Sequence, residues 1–257
     1  ILFDEIIFGP IRSRRLGNSL GINLLPKENK VCTFNCVYCE CGWGKANKSD
    51  AKTLLPASTI VPVLTEAFEK LHQKNEKIDS ITYAGNGEPT IHPEFEYITD
   101  AIIALRNQYF PHTIITCLSN SSQLHRPDVL SALKKIDNPV MKLDTGIENT
   151  FRLINKPFIK TTLDEICDNL RLFEGDLTIQ TMFLKGYLEN GNYIDNTTDT
   201  EVNAWIEKLL YIQPHTVMMY PIDRETPDSN LQKIPKEVLD KIAIKVKEKG
   251  FKTLTYS

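Results

Sequence analysis

Three features of the 257-residue sequence predict an α/β fold built on a parallel sheet. Short β-branched or aliphatic runs recur about six times, helical stripes fill the gaps, and no linker-like stretch interrupts the alternation. Strand followed by helix, repeated in this way, implies right-handed crossovers in an open doubly wound sheet or in a complete or partial barrel. Periodicity does not choose between them. In either, chemistry gathers at the carboxyl ends of the strands, so the residues just after each run are the candidates for function. A single domain over residues 1–257 is expected, with residues 1–30 forming an N-terminal extension and a first strand that leads into a cysteine-rich loop.

The strand-like runs are Ser19 to Leu25, Ser80 to Ala84, Thr113 to Ser119, Val140 to Asp144, Leu177 to Leu184 and Thr216 to Tyr220. After the first, Ile60, Val63, Leu64, Ala67, Phe68 and Leu71 form an apolar stripe at helical spacing, with Ser58 as its N-cap. Leu163, Ile166, Cys167 and Leu170 repeat the pattern, as do Val202, Trp205, Ile206, Leu209 and Leu210. Val238, Leu239, Ile242 and Val246 form the last stripe, which Gly250 stops before a short strand over Phe251 to Tyr256.

Hydrophobic residues make up 41% and charged residues 25%, which supports a sizeable core and gives no sign of disorder. The net charge of -3 argues against a generally basic nucleic-acid-binding surface, so that function would rest on a local patch such as Arg12, Arg14 and Arg15. No apolar run reaches the length of a membrane span, and Ile1 to Pro10 lacks the form of a signal peptide; a cytoplasmic protein without membrane contact is expected. His72, His92, His112, His125 and His215 show no metal-ligand spacing and are expected on the surface or in loops.

Four of the six cysteines crowd between Cys32 and Cys41, which suggests metal rather than a disulfide scaffold. Cys32, Cys36 and Cys39 have the pattern C-x3-C-x2-C directly after the first strand, where a loop can turn three thiolates onto one 4Fe-4S cluster. Three ligands leave one iron free to chelate a cofactor or substrate. A bacterial-ferredoxin run or a structural zinc site has different spacings. The alternative is a set of core thiols, or a zinc knuckle completed by Cys41; Cys41 is otherwise a redox-sensitive thiol, a substitute ligand or, the favoured reading, a bystander, while Cys117 and Cys167 are expected in the core.

C-x3-C-x2-C with Tyr38 before its last cysteine resembles the hallmark of the radical S-adenosylmethionine (SAM) superfamily. Gly85, Asn86, Gly87 and Glu88, after the second strand, resemble its Gly-Gly-Glu element, whose backbone binds the methionine amino group, with Asn86 where a glycine is common. Phe8 to Gly21, Gly85 to Thr90, Lys142 to Gly146 and Asn155 to Pro157 further resemble a subgroup related to the archaeal wyosine-base synthase, which modifies a tRNA guanosine. The resemblance covers most of the chain and implies a partial (β/α)6 TIM-like barrel. It implies a 4Fe-4S cluster and SAM as cofactors, one-electron cleavage to methionine and a 5′-deoxyadenosyl radical, and a flavodoxin or ferredoxin as electron donor. The wyosine-base synthases carry a second cluster on cysteines upstream of the main motif; no cysteine precedes Cys32 in this sequence, so a second cluster on these residues is not expected.

Burial of the methionine zwitterion needs charged partners. Lys142 and Asp144 share one side of their strand, so one meets a carboxylate and the other a hydroxyl or amine, or the two pair with each other. Ser119 and Asn120 at the end of the third strand, and Gln180 and Lys185 along the fifth, are placed to bond ribose, adenine or substrate; Tyr38 stacks near adenine or packs. Asp223 and Arg224 follow the sixth strand on the substrate side. Two other functions are compatible with these residues: an activase that places a glycyl radical on a partner protein, and a non-catalytic, metal-stabilised binding protein.

Overall fold

A computed structural model describes residues 2–44, 54–224 and 226–256. The chain forms two compact units: Ile1–Cys32, Gly44–Ser119 and Gln123–Pro139 make the first, and Thr33–Trp43, Asn120–Ser122 and Val140–Ser257 the second.

In the first unit, β1 (Ile7–Ser13) and β2 (Gly17–Ile22) form an antiparallel hairpin. β3 (Ser80–Tyr83) and β4 (Ile114–Ser119) then add in parallel, in the order β1-β2-β3-β4. All four residues of β3 are buried, as expected of a strand covered on both faces. α1 (Ala57–Gln73) precedes β3 and buries Ile60, Leu64 and Phe68, a stripe at helical spacing; α2 (Phe95–Tyr109) buries Phe95, Ile98, Ile102 and Leu105 in the same way. α3 (Pro127–Lys135) follows β4.

The second unit takes up the chain within β5 (Asn138–Lys142), from Val140, and continues to α4 (Glu148–Asn155) and α5 (Leu163–Arg171). Thr162 and Glu165 close a capping box on α5, each side chain bonding the other's backbone N–H. β6 (Thr178–Tyr187) runs parallel to β5, and its far end pairs antiparallel with β7 (Tyr193–Asp195). After α6 (Asp199–Ile212) come β8 (Thr216–Pro221), which pairs parallel with β6, and β9 (Leu231–Lys233), which pairs antiparallel with the end of β6. α7 (Lys236–Glu248) and β10 (Lys252–Thr255), parallel to β8, complete the unit. Trp205 anchors the core: its ring meets Phe183 edge-on at 5.2 Å and its indole N–H donates to Leu143 O at 3.2 Å. Gly146 lets the loop after β5 press on α6, since a Cβ there would lie 2.2 Å from the Ala204 carbonyl.

The expected strands and the four named helices are all present. β1 lies in the segment expected to be an extension, hidden by Gly9-Pro10 and the arginine run that surround its few apolar residues. Ser58 is not the N-cap of α1. The helix starts at Ala57 after Pro56, and the first N–H donates to Glu94 Oε2 at 2.8 Å, a distant carboxylate doing what a local hydroxyl was expected to do. No helix among the described residues is long and apolar enough to cross a membrane.

His92 lies in a loop, one of the two settings expected, but is fully buried there. Its Nδ1 accepts from Glu94 N–H at 3.1 Å and its Nε2 donates to Leu55 O at 2.9 Å, an arrangement that only the neutral ring satisfies. Burial accordingly lowers its pKa. Below the unfolded-state value of about 6.5, the unfolded chain binds the proton and the folded one resists it. The stability His92 contributes is therefore complete above that pH and is lost as pH falls toward the depressed folded value. The urea midpoint is expected to fall between about pH 7 and pH 5, and His92→Gln is expected to flatten that fall; an unchanged slope would show that other groups cause it.

Candidate functional site

In the first unit the turn after β3 lies against the residues that lead to Cys32. Val31 N–H donates to Asn86 O at 2.9 Å, Glu88 N–H donates to Val31 O at 3.0 Å, and Val31 and Gly87 form a parallel bridge. Gly87 is required for this approach: its φ is +142°, and a Cβ would stand 1.8 Å from Val31 O. Gly87→Ala is expected to cost about 1–3 kcal/mol, read as a lower urea midpoint; wild-type stability would mean that Val31 can move aside.

Asn86 is fully buried and committed to the chain. Its Oδ1 accepts from Phe3 N–H at 2.8 Å, and its amide donates to Phe3 O at 2.8 Å and Pro26 O at 2.9 Å. Gly85, at φ +135°, lies against Asn23. Glu88 is buried, and its Oε1 accepts from Thr90 N–H, Thr90 Oγ1 and, at 2.9 Å, Ser119 Oγ. Ser119 thus orients the Glu88 carboxylate.

In the second unit the cysteine loop is fastened from two sides. Asn120 Nδ2 donates to Thr33 Oγ1 at 2.9 Å, and Ser122 Oγ bonds the same hydroxyl at 2.6 Å. The carboxyl end of α4 holds the other side: Asn35 N–H donates to Asn155 O at 3.0 Å and Val37 N–H to Ile154 O at 2.9 Å. A helix terminus leaves such carbonyls without internal partners, and the loop supplies them. Lys156 ends the helix in the left-handed conformation, and Phe34 then bridges Pro157. Cys39 N–H donates to Cys36 O at 3.1 Å and Gly42 N–H to Cys39 O at 2.9 Å, so the loop turns twice beyond Cys36.

Behind this loop lies a buried polar group. Lys142 and Gln180 are register partners on β5 and β6, Gln180 pairs with Met218 on β8, and Tyr220 stands two residues farther along. Asp144, just past β5, is 3% exposed. Its Oδ2 accepts from the Tyr38 hydroxyl and from Asn155 Nδ2 at 2.7 Å. Its Oδ1 accepts from Met182 N–H at 2.9 Å and lies 3.8 Å from Lys142 Nζ. Lys142 Nζ also bonds Tyr220 Oη at 3.3 Å and sits 5.0 Å from the centre of the Tyr38 ring. Gln180 Nε2 donates to Tyr220 Oη, while its Oε1 is buried without a partner.

Burial opposes the Lys142 charge, but Asp144, Tyr220 and Cys36 together outweigh it, so the ammonium is held more firmly than in water. Burial, reinforced by Asp144, pushes the Tyr38 hydroxyl well up. Burial also raises the Cys36 thiol, with Cys39 and Asp144 adding to the rise and Lys142 and Asn155 opposing it.

Cys32, Cys36, Cys39 and Cys41 form no disulfides; Cys36 is buried and the other three are partly exposed. Cys117 and Cys167 are core residues, as expected. Cysteine thiols at this spacing are the donor type that a 4Fe-4S cluster with an open iron takes. Among the described residues no three His, Cys, Asp or Glu side chains are grouped as holders of a single metal ion. In a cubane each thiolate binds a different iron. Sequence reasoning did not single out Asn155 or Tyr220 as members of this group.

A parallel α/β architecture with a cysteine loop after an early strand is the arrangement found in radical SAM domains. Residues 29–199 match the radical SAM superfamily, and the chain belongs to it. It is 31% identical over 239 residues to a Brachyspira hyodysenteriae protein named GTPase Obg, covering 91% of this chain and 32% of that one. It is 36% identical over 183 residues to a UPF0026 protein of Methanocaldococcus jannaschii, covering 70% of this chain and 54% of that one. The chain thus spans about a third to a half of these two relatives. A radical SAM methyltransferase from Sphaerobacter thermophilus has the same fold, with a TM-score of 0.64, 13% identity and coverage of 93% of this chain and 65% of that one. The fold is therefore the expected partial barrel, an α/β architecture with an unclosed sheet. Membership makes the chain an enzyme whose cofactors are a 4Fe-4S cluster and SAM; radical SAM enzymes generally need an electron donor.

Proposed function

We propose that Cys32, Cys36 and Cys39 hold the 4Fe-4S cluster and that the enzyme modifies an RNA base, with tRNA as its substrate. The observation that supports the site is the attachment of the cysteine loop to α4 and, through Tyr38, to Asp144, which sets Cys36 near the partly buried Lys142. When bound, cluster and SAM supply reductive cleavage to methionine and a 5′-deoxyadenosyl radical, which takes a hydrogen atom from the substrate.

The chain binds, orients and excludes water. Lys142 offers its ammonium to a carboxylate, and Asp144, fully engaged by four groups, fixes where that ammonium stands. Asp144 and Tyr220 favour the charged form of Lys142, which suits an anchor for a carboxylate. Gln180 presents a buried carbonyl oxygen to an N–H or O–H of a ligand. Gly85, Asn86, Gly87 and Glu88 give the backbone to the methionine amino group, Ser119 and Asn120 line the ribose side, and Tyr38 borders the adenine. All 257 residues serve as one radical SAM domain, supplied with electrons by a flavodoxin or ferredoxin.

The RNA assignment follows the wyosine-type motifs and the Arg12, Arg14 and Arg15 patch. Anaerobic incubation of the loaded enzyme with SAM and bulk tRNA, followed by nucleoside mass spectrometry, is expected to reveal a new nucleoside. Unchanged nucleosides beside continuing SAM cleavage would remove tRNA from the proposal.

A further inference from the structure

We propose that Asn155 is a positioning residue that sets the reduction potential of the cluster through an N–H···S hydrogen bond to Cys36. The inference rests on Cys36 being a cluster ligand. The carboxamide nitrogen of Asn155 carries two hydrogens. One is taken by Asp144 Oδ2 at 2.7 Å. The other has two acceptors within reach, Cys36 Sγ at 3.5 Å and Tyr38 Oη at 3.4 Å.

Tyr38 Oη does not need that hydrogen, because it already acts as donor to Asp144. A ligand thiolate is the stronger acceptor, and Asn155 is 2% exposed, so water does not compete for the amide. The amide cannot swing away. Asp144 holds its Oδ2 partner, and the Asn155 carbonyl and that of Ile154 bind the loop N–H groups on either side of Cys36. One residue thus grips the backbone of the ligand loop and donates to the ligand sulfur.

Adding an electron makes the cluster and its sulfurs more negative. A donor aimed at one of those sulfurs stabilises the reduced form more than the oxidised one and raises the potential. Asn155 would therefore ease the one-electron reduction that must precede SAM cleavage.

The test is an anaerobic redox titration, followed by EPR, of reconstituted wild type, Asn155→Ala and Asn155→Asp, with iron counted in each. Both variants are expected to load iron. At a fixed applied potential the ratio of reduced to oxidised cluster should fall about tenfold, equivalent to about 59 mV for one electron. The alanine variant makes the comparison without adding charge. Equal potentials in loaded variants would overturn the proposal. So would a folded variant that binds no iron, or unfolding of both, since Asn155 would then serve assembly or the core. Failure of wild type itself to take up iron would instead overturn the cluster assignment.

Discussion

Cys36→Ala is expected to bring bound iron and sulfide from about four per chain to background while leaving the protein folded. A cubane held by three thiolates has no spare ligand, and removal of one leaves two adjacent irons without protein contact. Cys36 contributes little else: it is a small buried side chain whose thiol accepts one long hydrogen bond from Asn155. The loop keeps its place through Asn35 and Val37, whose N–H groups bind α4 independently of the thiol. Cys117→Ala and Cys167→Ala, both core changes, are expected to retain iron and to lower the melting temperature instead. Iron analysis and melting curves on the three variants give these two effects separately. Full iron content in Cys36→Ala would contradict the ligand assignment, and Cys41 would be the first residue to examine in its place.

Asp144→Ala is expected to cost about 3–5 kcal/mol, the largest stability effect of any single substitution considered. Four groups would lose their acceptor at once: the Tyr38 hydroxyl, the Asn155 amide, Met182 N–H and the Lys142 ammonium. Lys142 is the costly one. Its side chain is 16% exposed, so its charge would be left largely without water or counter-ion. At about 2–4 °C per kcal/mol for a chain of this size, the melting temperature should fall by roughly 10 °C. The double variant Asp144→Ala with Lys142→Met should recover part of that loss, because it removes the stranded charge. No recovery would place the weight of Asp144 in its three neutral contacts.

The strands were legible because each is a short aliphatic run bounded by turn residues, and the helices because their apolar stripes are regular. Ser58 misled because the choice of cap was decided by Glu94, which approaches from another element. Cys32, Cys36 and Cys39 were legible as a set because their spacing is local. Lys142 and Asp144 were legible as neighbours from the two-residue period of a strand. Tyr220 was not, because it reaches Lys142 only through the register of β5 on β6 and of β6 on β8, which no local pattern states. Asn155 was quoted only as part of a motif. Its contacts with Cys36 and Asp144 depend on where α4 ends, and the left-handed Lys156 before Pro157 is the one local signal of that end.

Anaerobic reconstitution with iron and sulfide, reduction with dithionite in the presence of SAM, and chromatography for 5′-deoxyadenosine test the central claim most directly. Radical SAM chemistry at the three-cysteine loop predicts 5′-deoxyadenosine and methionine in equal amounts from wild type, and none from Cys36→Ala run beside it. A well-formed cluster that leaves SAM intact even with candidate substrates, or purified protein that holds zinc in place of iron, would contradict it.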